Sequence, residues 1–465
     1  MTDGNKHNRP NIVMIMSDQH TPNVVGCYGN NQVKTPNMDN LAKDGVMFEN
    51  AYCNNPVCVP SRCSMLTGLY SHKINVWCNA DPLLPHLATW PLVLQSAGYE
   101  TVISGRMHLV WGDRMGGFAR RLYGDPAVPI PRIGPNKTMH GGYAPQGIDS
   151  CLGVIEDMEV NPVGHGPHDQ EANEHAINYL KNEAHKPFVL YIGYYQPHAP
   201  FVALKKYFDL YESMDPETGV NEPLEDIYLP LLKGLFLDRK IPEHKLKTAI
   251  RAYYAMVSQV DHLIGEIKST LEKTGLLDNT IIIYTSDHGE MLGRHKLWHK
   301  MCFYEDSARV PLIISFPQKW GKDKKIAANV SLLDLFPTFL AMADYNPDIK
   351  LDGQNLVPLL NGKKTKRNNN IIAETIGVKR GYPGRMLKRD NLKLILYHGQ
   401  KPVLFDLEKD PLENINVARE KKYAKMLQGM MKEITKDWDI ETINPNIENN
   451  FEHIAFRVNK ENINR

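Results

Sequence analysis

The chain has 465 residues, 42% of them hydrophobic, enough to bury a large core and to build more than one domain. Its 54 Lys and Arg stand against 53 Asp and Glu, so neither a nucleic-acid binder held by a general basic field nor an acidic disordered chain fits. Met1 to Pro10 is polar, and the first apolar run, Ile12 to Met16, is short; no stretch reads as a signal-peptide core or a membrane span. A cytoplasmic location is expected, or a periplasmic or secreted one if a signal peptide has been trimmed. The cysteines, Cys27, Cys53, Cys58, Cys63, Cys78, Cys151 and Cys302, are odd in number, and no disulfide framework is expected.

In chain order, Asn11 to Met16 is a continuous apolar run ending in Ser17-Asp18-Gln19-His20, the pattern of a buried parallel strand. Thr35-Pro36 predicts an N-capped helix through Met38, Leu41 and Ala42 to Gly45, and Pro60 a second helix start. Trp90 to Ala97 reads as helix, Tyr99 to Ser104 as strand, and Pro187 to Ile192 as another buried strand. Residues 111–150, rich in Gly, Pro and Arg, read as long surface loops. Leu246, Ile250, Tyr253, Val257, Val260, Ile264, Ile267 and Leu271 recur at helical spacing and predict a long helix with one buried stripe. Ile281 to Tyr284 is a strand ending at Ser286-Asp287-His288-Gly289, followed by an apolar run from Val310 to Phe316 and a helix from Leu332 to Ala343.

Asn361 to Asn370 is polar and charged and reads as a boundary. Beyond it, Leu392 to Tyr397 and Pro402 to Leu407 predict a hairpin around His398-Gly399-Gln400, closed by a helix from about Ala418 to Trp438. The expected fold is α/β. A large domain over residues 8–365 has a mainly parallel or mixed sheet sandwiched by helices, and a smaller C-terminal α+β subdomain with an antiparallel sheet spans 370–465.

In an open parallel sheet, ligands bind beyond the carboxyl ends of the strands. Four apolar runs here end in polar groups, Asp18-Gln19, Arg106/His108, His198 and Asp287-His288, which together predict one metal and anion cleft. Cys58-Val59-Pro60-Ser61-Arg62, with Leu66-Thr67-Gly68 behind it, resembles the C-x-P-S-R signature of type I sulfatases in the alkaline phosphatase superfamily, in which the Cys becomes formylglycine. Most of the chain carries the resemblance. Ser17-Asp18-Gln19 and Ser286-Asp287-His288-Gly289-Glu290 are similar to the two metal motifs, Thr35 to Ala42 to the T-P-N-x-D-x-L-A helix, and Gly105-Arg106-Met107-His108 to G-K-x-H. Pro197-His198-Ala199-Pro200 resembles P-H-x-P, and Trp298-His299-Lys300 with Tyr304-Glu305 the W-x-K…Y-E segment. Leu404 to Leu407 with Asp410-Pro411 and Glu413 resembles the closing pattern.

The signature has a physical reading of its own. A residue just before Pro60 sits near a helix N-terminus, where backbone N–H groups and the dipole favour an anion, and Arg62 adds a permanent bidentate donor. Taken singly, His108 and His198 would be ordinary hydrogen-bonded histidines and Lys300 a solvated charge; only the motif context sets them apart.

The resemblance implies a sulfuric ester hydrolase in which formylglycine at position 58, hydrated to a gem-diol, attacks sulfur and later expels sulfate. Asp18, Gln19, Asp287 and His288 match the metal ligands, with position 58 beside the ion. Cys58, Arg62, His108, His198, Lys300 and Asp287 match catalytic positions, and Arg106, His198 and Lys300 match sulfate contacts. His108 matches the histidine that assists elimination, and Lys300 or His198 would protonate the leaving oxygen. One divalent metal is implied, Ca²⁺ first, with Mg²⁺ or Mn²⁺ as alternatives; oxygen-rich sites suit Ca²⁺ or Mg²⁺, whereas an imidazole ligand shifts preference towards Mn²⁺ or Zn²⁺. A formylglycine-generating enzyme is the implied maturation partner; neither nucleic acid nor membrane is expected as one.

Gln19, His288 and Arg106 depart from the commoner Asp, Asn and Lys. The Gln and His pairing is similar to members that cleave choline sulfate and to relatives that hydrolyse phosphonate monoesters and phosphodiesters. Basic residues in the first long loop (Trp111 beside Arg114, Arg120, Arg121, Lys137 and His140) and in the C-terminal part (Lys379, Arg380, Arg385, Lys388, Arg389) suit a sulfated sugar, a glycosaminoglycan or other glycan fragment. The alternatives are a phosphonate monoester or phosphodiester hydrolase, a choline-sulfatase-like enzyme, and a non-catalytic binding protein whose Cys58 is never matured.

Overall fold

The computed structural model describes residues 9–110, 114–125, 165–185, 187–218, 242–363, 366–376 and 383–439. Its larger sheet begins with β1 (Asn11–Ser17), β2 (Val46–Tyr52), β3 (Glu100–Gly105), β4 (Arg120–Tyr123), β5 (Phe188–Gly193) and β6 (Thr280–Ser286). It is completed by β7 (Arg309–Val310), β8 (Leu312–Ser315) and β9 (Lys324–Ser331). The strand order is β4-β3-β5-β1-β6-β8-β2-β7, with β9 paired to β2. Strands β4, β3, β5, β1 and β6 run parallel, whereas β8 is antiparallel to β6 and to β2.

The unbroken apolar run of β1 has a simple cause, since successive side chains point to opposite faces and both faces are covered. Ile12, Met14 and Met16 pack on one side with Met65 and Leu66 of helix α1 (Cys58–Thr67), Trp90 and Leu94 of α2 (Trp90–Ser96), and Phe336 and Phe339 further on. Val13 and Ile15 pack on the other with Ala176 and Tyr179 of α3 (Gly166–Asn182) and with Val260, Ile264, Ile267 and Leu271 of α4 (Glu243–Lys273). The sheet is therefore sandwiched as expected, and the predicted stripe of the long helix is its buried side. The N-terminal half of that stripe, Ile250 to Val257, serves a separate cluster with Phe201 and Trp298.

A second sheet, β10 (Asn370–Thr375), β11 (Gly384–Arg389), β12 (Leu392–Tyr397) and β13 (Val403–Asp406), is antiparallel throughout. One face, with Met386, Ile395 and Phe405, packs on Tyr52, Leu297 and Phe303 of the larger part. The other, with Leu387, Leu394 and Leu404, packs on Met430 and Ile434 of helix α5 (Ala424–Ile434). No helix among the described residues is long and apolar enough to cross a membrane.

Several local expectations are corrected. Arg120–Tyr123 is an edge strand rather than loop, while residues 111–113 and 126–150 lie outside the described residues. The helix expected from about Ala418 begins at Ala424, because Asn416 Oδ1 accepts from the backbone N–H groups of Ala418 and Leu404, both at 3.0 Å, and holds that stretch as a turn. Thr35 does not cap the helix Pro36–Lys43 with its side chain; Asp261 of α4 does so from outside, accepting from the N–H groups of Asn37 and Met38 at 3.2 and 2.7 Å. The helix predicted at Pro60 starts two residues earlier at Cys58, and Pro60 falls in its first turn, where its missing N–H is not needed.

Candidate active site

Parallel register places the functional side chains side by side. Ser17 of β1 pairs with Ser286 of β6, so Asp18 and Asp287 emerge as neighbours. Gly105 of β3 pairs with Gly193 of β5, and beyond them the chain delivers Arg106 and His108 from one strand and Tyr195 and His198 from the other. A Cβ on Gly193 would lie 1.8 Å from the Arg106 carbonyl oxygen, and one on Gly105, at φ +82°, would lie 2.3 Å from the Gly193 carbonyl oxygen. Only hydrogen fits between the strand ends there. Cys58 is the first residue of α1, so its side chain enters the cleft at a helix N-terminus.

Two arginines divide the two carboxylates. Arg62 Nε donates to Asp287 Oδ2 at 2.8 Å and its Nη2 to Asp18 Oδ2 at 3.1 Å, while Arg106 Nε donates to the same Asp18 oxygen at 2.5 Å. The other oxygens face inward. Asp18 Oδ1 lies 3.8 Å from Cys58 Sγ and 3.7 Å from His288 Nε2, and Asp287 Oδ1 lies 3.6 Å from that same nitrogen. His288 Nδ1 donates to the Gly289 carbonyl at 3.0 Å, which leaves Nε2 with its lone pair, 3.1 Å from Cys58 Sγ. Ligand atoms of Asp18, Cys58, Asp287 and His288 all lie within 4.8 Å of one another, and all four residues are buried. Two carboxylate oxygens and a neutral imidazole nitrogen converging on one point fit a divalent cation.

Around this centre sit the remaining polar groups. Lys300 Nζ donates to Gln19 Oε1 and to His198 Nε2, the latter at 2.9 Å, and His198 Nδ1 donates to the Ala199 carbonyl at 2.5 Å. The backbone around Lys300 is left-handed at His299 (φ 68°) and Met301 (φ 77°), as it is at Gln19 (φ 67°) and His108 (φ 58°). Non-glycine residues hold such conformations only where their surroundings over-determine them, as at binding sites. At His108 the Asp125 carboxylate does this, accepting from the backbone N–H groups of Met107 and His108 at 3.0 and 2.5 Å. Arg106 Nη2 donates to His108 Nδ1 at 2.6 Å.

The electrostatics follow from these contacts. Burial alone would raise the Asp18 carboxyl, but the charges of Arg106 and Arg62 hold it well below the usual carboxylate range. Burial, aided by Arg106 at His108 and by Lys300 at His198, keeps both imidazoles neutral, and burial does the same at His288. Burial and then Asp18 push the Cys58 thiol up to about 12.

All the residues expected to form the site are thus brought together: Asp18, Gln19, Cys58, Arg62, Arg106, His108, His198, Asp287, His288 and Lys300. Two further residues, Tyr195 and His165, had no sequence signal of their own, and Glu290 stood only as the end of the second motif with no role assigned. Tyr195 lies under the Arg106 guanidinium, 3.8 Å from ring centre to Cζ, and stacks on its other face against His165 at 3.5 Å. Glu290 accepts from Gln19 Nε2. The expected basic surround is corrected where it is described. Arg385 is buried against Glu374 and Trp438, Arg389 pairs with Glu433, Lys388 donates to the Asp390 carbonyl, Arg120 pairs with Glu183, and Arg121 donates to the carbonyls of Gly105 and Arg114. These charges hold the fold together. Trp111, Lys137, His140, Lys379 and Arg380 lie outside the described residues.

A mixed α/β sheet whose strand ends bring together a candidate cation-binding cluster, a helix N-terminus and three cationic side chains suits the hydrolysis of anionic esters. The comparisons give the family. Residues 10–345 match the Sulfatase family and residues 293–439 match "N-sulphoglucosamine sulphohydrolase, C-terminal", so the chain belongs to the sulfatase family of sulfuric ester hydrolases. It is 32% identical over 437 residues to the choline-sulfatase of Rhizobium meliloti (strain 1021), covering 88% of this chain and 82% of that one. The phosphonate monoester hydrolase of Agrobacterium radiobacter superposes with a TM-score of 0.77 at 26% identity, covering 92% of this chain and 95% of that one. A protein crystallised with its substrate, D-glucosamine-2-N,6-O-disulfate, superposes with a TM-score of 0.72 at 25% identity, covering 94% and 98%.

Proposed function

We propose that this sulfatase hydrolyses a sulfate monoester carried by a sugar, using a nucleophile made by converting Cys58 to formylglycine and one divalent cation held by Asp18, Asp287, His288 and Gln19, with Ca²⁺ as the first expectation. The observation that carries this reading is the convergence of Asp18 Oδ1, Asp287 Oδ1 and His288 Nε2 beside Cys58 Sγ, with Arg62, Arg106 and Lys300 around them. When bound, formylglycine would supply an oxygen nucleophile and the cation would supply charge to stabilise it and the sulfate oxygens.

The chain's own residues divide the rest of the work. The three cationic side chains Arg62, Arg106 and Lys300 cancel the three carboxylates Asp18, Asp287 and Glu290, leaving the cation's charge for an anionic ester. Arg106 Nη1 makes no hydrogen bond among the described residues and is the guanidinium donor for sulfate. Lys300 uses two of its three protons on Gln19 and His198, and the third protonates the leaving alcohol oxygen. His108 accepts from Arg106 at Nδ1, so it holds its proton at Nε2 and acts first as a donor to the bound ester.

The sugar assignment draws on the relative crystallised with a sulfated glucosamine. For a quaternary ammonium, an aromatic cage wall would be needed; both faces of the Tyr195 ring are already covered by Arg106 and His165. A P–O reading is kept by the phosphonate hydrolase similarity together with Gln19 and His288.

The test is sulfate release by protein co-expressed with a formylglycine-generating enzyme, over sulfated mono- and disaccharides, choline sulfate, an aryl sulfate and an aryl phosphonate monoester. One sugar far above the rest, abolished by Cys58→Ala, is the expected result. A faster phosphonate ester with sugars untouched would move the enzyme to the P–O branch, and equal rates with Cys58→Ala would sink the nucleophile assignment.

A further inference from the structure

Glu290 is fully buried and stands behind the site, one peptide beyond Gly289. Its Oε2 accepts from Gln19 Nε2, and its Oε1 accepts from the backbone N–H groups of Leu292 and His299 at 2.9 and 2.6 Å. Every one of these bonds runs from an N–H to the carboxylate. The segment it closes is short and strained: Met291 N–H donates to the His299 carbonyl at 2.8 Å and Gly293 N–H to the Leu297 carbonyl at 2.9 Å. Inside that neck, Leu292, His295, Lys296 and His299 all adopt positive φ, and the next residue after His299 is Lys300.

A carboxylate can only accept, whereas a carboxamide has one accepting and one donating end. With Glu290 at its back, the Gln19 amide can be satisfied in one orientation only, NH₂ toward Glu290 and carbonyl oxygen toward Lys300 and the metal cradle. We propose that Glu290 is a positioning residue which sets the polarity of the Gln19 amide and, through the His299 N–H, the seat of Lys300. The proposal rests on the metal reading given above and adds to it the reason why a neutral Gln can stand where a second Asp would otherwise hold the ion. If Gln19 turned over, its NH₂ would face the Lys300 ammonium and the cation, two positive charges.

The test uses the full chain expressed without maturation, titrated with Ca²⁺ and separately with Mn²⁺ by calorimetry, so that no turnover is needed. Four proteins form a cycle: the natural sequence, Glu290→Gln, Gln19→Glu, and the inverted pair Gln19→Glu/Glu290→Gln. Glu290→Gln sets amide against amide and is expected to weaken ion affinity by about ten-fold or more, the size usual for a group that orients a ligand. Gln19→Glu alone sets carboxylate against carboxylate and is expected to bind no more tightly than the natural sequence, although it adds a negative charge at the ion. The inverted pair restores one acceptor facing one donor and is expected to recover most of the lost affinity.

Affinity unchanged in Glu290→Gln, or an inverted pair no better than Glu290→Gln, overturns the proposal. A Gln19→Glu protein that binds most tightly of the four also overturns it, since charge alone would then explain the series. If the natural sequence binds neither ion, the metal reading itself fails and takes this inference with it. Should Glu290→Gln not fold, a soluble and ion-binding inverted pair supports the proposal, and an insoluble one overturns it.

Discussion

Two clusters of buried charge among the described residues, one in the cleft and one in the seam between the sheets, are organised differently. In the seam between the two sheets, Lys393 is completely buried between Glu305 and Glu413, bonding Glu305 Oε1 at 2.9 Å and pairing with Glu413. Glu305 Oε2 accepts from the Tyr52 hydroxyl at 2.9 Å, and Glu413 Oε2 accepts from the Glu305 N–H at 2.6 Å. The seam's cation is spent on its own carboxylates. In the cleft, by contrast, Asp18 Oδ1 and His288 Nε2 turn toward a shared point, and Lys300 keeps a proton that no group among the described residues takes. Both clusters are buried; what separates them is donor and acceptor capacity left without a partner among the described residues. Charge density alone would have marked both as sites.

The buried lysines of the two clusters give the sharpest test of that distinction. Lys300→Ala should cut kcat on sugar sulfates by about 10²–10⁴-fold, the range for loss of a general acid, and much less on an aryl sulfate whose leaving group needs no proton. Its thermal midpoint should barely move. Lys393→Met should do the reverse. Stripping one partner from a buried ion network costs about 3–5 kcal/mol, read by chemical denaturation, while kcat/KM per folded molecule stays the same. Comparable activity losses in both variants would break the comparison.

A smaller effect concerns pH. Burial, the largest influence, pushes the Glu413 carboxyl up to about 7 from 4.5, against the opposing pull of Lys393. The folded chain then binds more protons than the unfolded chain between those values, so Glu413 contributes stability at low pH that is lost as pH rises through about 7. Denaturation midpoints from about pH 5 to about pH 8 should show that slope, and Glu413→Gln should flatten it. An unchanged slope in the variant would assign the pH dependence to other groups.

The cleft was legible in the sequence because its residues sit where strands stop. Asp18, Arg106, His198 and Asp287 each follow an apolar run, and the rule that ligands lie beyond strand ends needs no partner to be known. The supporting groups were not legible for the opposite reason. Glu290 acts on Gln19 across 271 positions of sequence, and Asp261 caps the helix beginning at Pro36 from a distant helix. Tyr195 looked like one aromatic among many until Arg106 and His165 covered its faces. The same blindness misread Arg385 and Arg389 as substrate-facing: a sequence displays a charge but not the carboxylate that neutralises it.

Among the strands, β2 and β9 were missed because polar residues interrupt one (Glu49, Asn50) and lysines open the other (Lys324, Lys325). Strands β10 and β11 were not read as strands, being short and mixed in character. The helix Gly166–Asn182 went unread because its buried positions are mostly small or polar, among them Asp169, Ala172 and Asn173.

The facing glycines at 105 and 193 have a consequence for how this enzyme can change. With no room for a methyl group between those strand ends, a side chain at 193 would push against the backbone of Arg106, whose guanidinium holds Asp18, and one at 105 would push against the Gly193 carbonyl and Ala172. A mutagenesis library aimed at substrate range should therefore leave this pair untouched and vary the side chains around it.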